Sequence, residues 1–321
     1  MKDKELTILT KSPWYTIDRL FEESKYLLKQ KINTKKNQFS NYGGHNAVTS
    51  SLIDGLMKLD YSFVLNPKLS KQFSRHVHVL SNIYALDLAI NLKKKGKINR
   101  LTAGPNLVFL PDDYNSIICS DEIDKILVPS EWVRDAYVHY FPKLEGKIIC
   151  WFAGVDADFW KTSHNNTKNN CILYTKNITN KFRQKIKNIL YHYDWNVDEI
   201  MYGNYDLLTW KSKLNSASLA VFLSSSESQG IALAEAWSMN VPTFVWNPKP
   251  KELNGRYFPS VDSAPYLTPE TGISWKTENE FQDALNRFIE KNRFQPRKWI
   301  LENMTQEIST KLFVNKVCNI Y

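Results

Sequence analysis

Residues 219–246, LAVFLSSSESQGIALAEAWSMNVPTFVW, constrain this chain of 321 residues more than any other stretch. Leu219 to Leu223 is a short apolar run, the pattern of a strand buried on both faces of a parallel sheet. Ser224 to Gln229 is small and polar, and Gly230 lets the backbone come close to whatever lies above the loop. Ile231 to Met239 has helical composition. Asn240-Val241-Pro242 stops that helix, and Thr243 to Trp246 returns as a strand. A helix entered through glycine starts with backbone N–H groups that have no partner inside the helix, so its tip is a site for an anion.

Two carboxylates flank that tip, Glu227 in the loop and Glu235 inside the helix. A helical turn of drift puts them at different depths, which disfavours joint ligation of one metal ion. A phosphate between them, met by Ser228, Gln229, Gly230 and Ile231, suits a nucleotide sugar. Glu235 is then positioned to accept bonds from ribose hydroxyls and Glu227 from the sugar. Glu227 to Glu235, ESQGIALAE, resembles the E-x7-E signature of retaining glycosyltransferases with the GT-B fold, above all the large family four. The serine run before the first Glu and the proline after the helix match as well.

Further stretches are similar to that family in the same order. Val128-Pro-Ser-Glu-Trp-Val-Arg-Asp135 resembles its VPSxWxRD block, in which the serine and the following helix line the cleft, so Ser130 becomes a cleft residue and a helix N-cap. Ala153-Gly-Val-Asp-Ala-Asp-Phe159 resembles its NGVDxxxF hinge between two domains, with Asp156 bracketing the turn. Asn41-Tyr-Gly-Gly-His45 resembles its glycine-rich loop, which makes Gly43, Gly44 and His45 cleft contacts on the acceptor side. In the family an Arg or Lys and a Lys after the first strand of the second domain hold the donor diphosphate. Here Lys176 and Lys181 occupy those places, with Arg183 and Lys185 close enough to substitute for the second. A lysine grips phosphate as a point charge, without the bidentate fork of arginine. At Val77-His-Val-Leu-Ser81 the family's catalytic histidine position falls on Leu80, and His76 and His78 read as strand-edge residues.

The remaining chain fits an α/β protein of two domains. Strands are expected at Leu6 to Thr10, Phe63 to Leu65, Val77 to Leu80, Ile117 to Cys119, Ile126 to Val128, Ile148 to Trp151, Cys171 to Thr175 and Val197 to Met201. Helices are expected over 14–31, 46–59, 85–95, 181–190 and 205–216, and from Trp299 to the end. Gly104-Pro105 predicts a sharp turn at a strand end, which makes Asn106 an acceptor-side contact. Thr277-Glu-Asn-Glu280 reads as a capping box for a helix with Phe281, Leu285, Phe288 and Ile289 on its core face. The polar run from Ser163 to Asn170 reads as a linker, giving domains at 1–160 and 161–321.

The hydrophobic share of 43% supports packed cores, and the net charge of +9 favours an anionic partner. Four cysteines lie far apart, with no C-x-x-C and no zinc spacing, so a reduced, cytoplasmic chain is expected. No apolar run is long enough to cross a membrane. The basic tail from Lys25 to Lys36 leaves peripheral contact with an acidic membrane open, beside plain solvation. Pro111-Asp-Asp113 is an ordinary turn rather than a metal site.

The resemblance therefore implies an α/β chain of the GT-B fold, with two doubly wound Rossmann-like domains facing across a cleft. The second domain would bind a UDP- or GDP-sugar and the first a glycan or other hydroxyl acceptor. The last helix would pack back on the first domain. Glu227, Lys176 and Lys181 are the expected catalytic residues. Glu235 joins the donor site, and no cofactor or metal is needed beyond the nucleotide sugar. Two other readings stay open. A basic nucleic-acid-binding protein would fit the charge, although no helix-turn-helix, zinc or RRM signature accompanies it. A GT-B epimerase acting on a UDP-sugar would share the fold.

Overall fold

The computed structural model describes residues 6–11, 43–68, 72–163, 169–290 and 294–318. The helix expected over 14–31, its basic tail and most of the linker lie outside these residues. The chain divides into two compact units: unit 1 includes Val48–Phe152 and Ser309–Tyr321, and unit 2 includes Ala153–Ile308. The passage from one to the other thus falls at 152/153, against the 160/161 drawn from the linker.

Unit 1 is built on β1 (Leu6–Leu9), β2 (Phe63–Leu65), β3 (His76–Ser81), β4 (Arg100–Asn106), β5 (Lys125–Val128) and β6 (Ile148–Cys150). These strands form a parallel sheet in the order β2-β1-β3-β4-β5-β6. Every residue of β1 is buried, and only Ser81 of β3 is not, as expected of strands covered on both faces. The helices of this unit are α1 (Gly44–Lys58), which belongs to it from Val48 onward, α2 (Ile83–Lys94) and α3 (Glu131–Tyr140). The strand order reverses between β1 and β3. Right-handed crossovers then fall on opposite faces of the sheet, as in a Rossmann-like fold.

Three expectations are corrected here. His76 and His78 are not on a strand edge: β3 lies inside the sheet, and both rings are buried against Thr102, whose Oγ1 lies 3.1 Å from His76 Nε2 and 2.9 Å from His78 Nδ1. Burial holds both imidazoles down to about 3, helped by Arg100 beside His76 and by His76 beside His78. Ile117–Cys119 is a 3-10 turn, not a strand. It follows three successive residues with left-handed backbone, Tyr114, Asn115 and Ser116, which reverse the chain instead of extending it. Gly104-Pro105 does not end a strand either. It lies inside β4, where a Cβ on Gly104 would fall 2.3 Å from the Leu127 carbonyl oxygen, and the register of β3 against β4 shifts between Val79 and Ser81.

Unit 2 contains β7 (Asn170–Lys176), β8 (Asn196–Met201), β9 (Leu219–Ser224), β10 (Thr243–Trp246), the hairpin β11 (Glu252–Leu253) and β12 (Arg256–Tyr257), and β13 (Gly272–Trp275). Its five-stranded parallel sheet has the order β13-β10-β9-β7-β8, with the reversal between β7 and β9. The helices are α4 (Asn180–His192), α5 (Leu207–Ser216), α6 (Ile231–Ser238), α7 (Glu278–Glu290) and α8 (Pro296–Asn303). One face of the sheet buries Leu173, Leu219, Val221 and Phe244 against Ile186 and Leu190 of α4 and Phe281, Leu285 and Phe288 of α7. Ile289, expected on that face, is instead 60% exposed near the end of α7. Thr277 Oγ1 caps α7 through Glu280 N, while Glu280 reaches back to Lys276 N rather than to Thr277 N.

The single helix expected from Trp299 onward is broken. Val155 N donates to Met304 O at 2.9 Å and Gln306 N to Val155 O at 3.1 Å, so the backbone around Thr305 pairs with Val155 instead of continuing a helix. Gly154 allows this approach, because a Cβ there would lie 2.2 Å from Thr305 O. The chain resumes as α9 (Gln306–Phe313), which enters unit 1 at Ser309. There Trp151 Nε1 donates to Ser309 O at 3.0 Å, and Phe313 packs edge-on against His78 and Trp151.

Candidate active site

The reversal of strand order in unit 2 separates β7 from β9, and ligands of open parallel sheets bind beyond the carboxyl ends of such a pair. Lys176 ends β7 and Ser224 ends β9, and the two are partners in the ladder. After β9 the chain is fixed in two places. Ser224 Oγ donates to Ser226 O at 2.8 Å, and Glu227 N donates to Asp262 O at 2.8 Å. Gly230 then turns the chain into α6 with φ +67. The nearest atoms a Cβ there would meet are Leu233 Cδ1 at 3.4 Å and Leu233 Cβ and Pro265 Cδ at 3.9 Å, so the backbone angle, not crowding, calls for glycine.

Lys176 Nζ lies 2.9 Å from Glu227 Oε1, with the two side chains 24% and 17% exposed. The same ammonium sits 4.8 Å above the centre of the Tyr202 ring. Two residues expected near a donor thus meet, the lysine ending β7 and the loop acid, and the loop acid stands three residues before Gly230 turns the chain into α6. Glu235 is deeper, 2% exposed, and its Oε2 accepts from Trp210 Nε1 at 2.7 Å. Trp210 belongs to α5 and packs against Tyr174, Tyr205 and Phe222. Burial pushes the Tyr174 and Tyr205 phenols above their usual range, and both feel the Glu227 carboxylate. The site is therefore an acid–lysine pair at the rim over an aromatic floor that holds the second acid.

The other expected residues are distributed as follows. Ser228 is exposed and Ile231 half-buried. Gln229 Oε1 accepts from Ala153 N at 3.2 Å, which ties the loop to the first residue of that stretch of unit 2, and its Nε2 is buried without a hydrogen-bond partner. Lys181 is exposed in the first turn of α4. Arg183 and Lys185, weighed as substitutes, are held elsewhere by Glu199 at 3.3 Å and Glu278 at 2.5 Å. In unit 1, Asn106 ends β4 opposite Ser81, half-buried. Gly43, Gly44 and His45 are exposed where α1 begins. Ser130 occupies the N-cap of α3, but its hydroxyl makes no capping bond and is buried without a hydrogen-bond partner, a correction to its expected role. Trp210, Tyr202 and Tyr205 were not singled out in the sequence. The signal available for the tyrosines was their place just past β8, where ligand contacts concentrate.

The four cysteines are free thiols. Among the described residues no cluster of three or more His, Cys, Asp or Glu could hold a metal ion, and no helix is long and apolar enough to cross a membrane.

Two Rossmann-like units with parallel sheets of six and five strands define an α/β fold of the GT-B class. Among solved structures, the chain is similar to sucrose-phosphate synthase from Thermosynechococcus elongatus, with a TM-score of 0.58 and 10% identity over 97% of this chain and 98% of that one. The lipopolysaccharide outer core galactosyltransferase WaaB in its apo form gives 0.57 and 13%, with the same coverage. The N-terminal domain of Candida albicans trehalose-6-phosphate phosphatase gives 0.52 and 11% over 100% and 98%. At such identities the likeness is one of fold. No family model matches the chain, and no curated protein sequence does.

Proposed function

We propose that this chain is a retaining glycosyltransferase that moves a hexosyl group from a UDP- or GDP-sugar to a hydroxyl of a glycan or similar acceptor. The observation that carries this reading is the Lys176–Glu227 pair at the strand-order reversal of unit 2, on the loop that leads into α6. A glycosyltransferase-like fold supports it, as does the galactosyltransferase among the structural neighbours.

The donor's diphosphate lies on the first N–H groups of α6, with the Lys176 ammonium beside it. An ammonium has three donors, so Lys176 keeps Glu227 and still reaches a phosphate oxygen. Glu227 accepts from the sugar hydroxyls and Glu235 from the ribose. In the transfer step the bond between the anomeric carbon and the β-phosphate oxygen breaks, and the acceptor oxygen bonds to that carbon on the same face. The acceptor proton passes to the departing phosphate. Negative charge grows on the phosphate, where Lys176, Lys181 and the helix-start amides stabilise it electrostatically. These groups supply the positive charge, so no metal is invoked. The candidates to meet the acceptor are Asn106 and Ser130 of unit 1, with Gly43, Gly44 and His45 at the start of α1.

The test is donor turnover with a panel of UDP- and GDP-sugars, with and without sugar acceptors. Lys176→Ala should lose about 10²–10³ in rate, by analogy with loss of an oxyanion donor. A parent protein that binds no nucleoside diphosphate and turns over no donor contradicts the reading.

A further inference from the structure

The donor site described above accounts for a diphosphate, a ribose and a sugar, but not for the nucleobase. Along the rim of the unit 2 sheet the order is β9, β7, β8. The residues that leave those strands follow the same order: the Glu227 loop after β9, Lys176 at the end of β7 and Tyr202 after β8. Neighbouring strands are about 4.8 Å apart, so this is a row with a regular step. A nucleotide sugar whose diphosphate rests between β9 and β7, and whose sugar lies on the Glu227 side, sends its nucleoside toward β8.

Tyr202 stands there. Its N–H donates to Thr175 O at 2.9 Å, which fixes its backbone against the end of β7. Its ring is 51% exposed, with Lys176 Nζ on it. An exposed tyrosine needs no explanation by itself. This one, however, shares Lys176 with Glu227, and the residue after it has open space around it. Gly203 has φ +80, and a Cβ built on it meets nothing within 4 Å. Two residues further on, Tyr205 joins the floor formed with Tyr174 and Trp210. A flat, half-exposed ring beside a phosphate-holding cation suits a planar aromatic ligand.

We infer that Tyr202 is the platform on which the donor's nucleobase stacks. The inference rests on the donor-site reading proposed above. Stacking tolerates any base, because every base has a π-face, so Tyr202 supplies affinity for nucleotides as a class.

Calorimetric titration of the parent, Tyr202→Ala and Tyr202→Trp with UDP, GDP and inorganic pyrophosphate tests it. Tyr202→Ala should weaken both nucleotides about 5- to 150-fold, the range for loss of one stacked base, and leave pyrophosphate unchanged. Tyr202→Trp should keep or improve nucleotide affinity. Nucleotide affinity equal to the parent's in Tyr202→Ala overturns the proposal. So does an equal loss for pyrophosphate, which would mean the ring acts only through Lys176. A parent that binds pyrophosphate but neither nucleotide overturns the stacking role and leaves the diphosphate grip standing; a parent that binds none of the three overturns both.

Discussion

Replacing Trp210 with phenylalanine removes the indole N–H that Glu235 Oε2 accepts at 2.7 Å. Both side chains are buried, so water cannot take over the lost bond. A hydrogen bond to a charged group contributes about 1.5–3 kcal/mol. The smaller ring also leaves a void that costs roughly another 1 kcal/mol. The single variant should therefore lose about 2.5–4 kcal/mol, read as a shift of the unit 2 transition in urea unfolding at pH 7. The void and the bond separate in a double-mutant cycle with Glu235→Met, which removes the carboxylate at similar volume. Coupling between the two changes should be about 1.5–3 kcal/mol, because once the acceptor is gone Trp210→Phe costs only the void. A second readout is nucleotide affinity, which should fall in Trp210→Phe even under conditions where the protein is fully folded. Coupling below about 0.5 kcal/mol, within the range of independent sites, would refute the idea that Trp210 orients this acid.

Other outcomes follow from the same geometry. Gly154→Ala should cost at least about 1–3 kcal/mol in thermal or urea unfolding, since its Cβ would fall 2.2 Å from the Thr305 carbonyl oxygen; an unchanged midpoint would show that this contact is loose. His76 and His78 are held down to about 3 when folded, against 6.5 when free, so the unfolded chain binds more protons below pH 6.5. Stability should then fall as pH drops from about 6.5 toward 3, by about 2 kcal/mol per histidine between pH 7 and 5, and His78→Gln should flatten the profile. Ile289→Lys should leave unfolding within about 0.5 kcal/mol of the parent, whereas Phe281→Ala, at a fully buried position of the same helix, should cost about 3–5 kcal/mol. Lys185→Ala should leave nucleotide affinity intact, because that side chain is committed to Glu278.

Much of the fold was legible because its strands are short apolar runs bounded by polar turns. Phe63–Leu65 and the β9–α6–β10 unit could be read almost residue by residue. What could not be read depends on distant partners. Thr305 interrupts the final helix because Val155, far back in the chain, takes up the neighbouring backbone groups. Ile117-Ile-Cys119 has strand composition, but the left-handed residues before it turn the chain into a 3-10 coil. Ile289 has nearly the right period but lies one residue past Phe288, the last of α7's core residues, and faces solvent. At the site, the local pattern yielded Glu227, Gly230 and Glu235. It was silent on the Lys176–Glu227 pair and on Trp210, which only the crossover between β8 and β9 brings to Glu235. Arg183 and Lys185 looked equivalent to Lys181 until their acid partners on β8 and α7 were seen.

A crystal structure with a bound nucleoside diphosphate tests the central claim most directly. The phosphates should lie within about 3.2 Å of Lys176 Nζ and of the first backbone nitrogens of α6. A nucleotide bound away from the β7–β9 junction, or a Lys176 still turned to Glu227 alone with the helix start untouched, would contradict it.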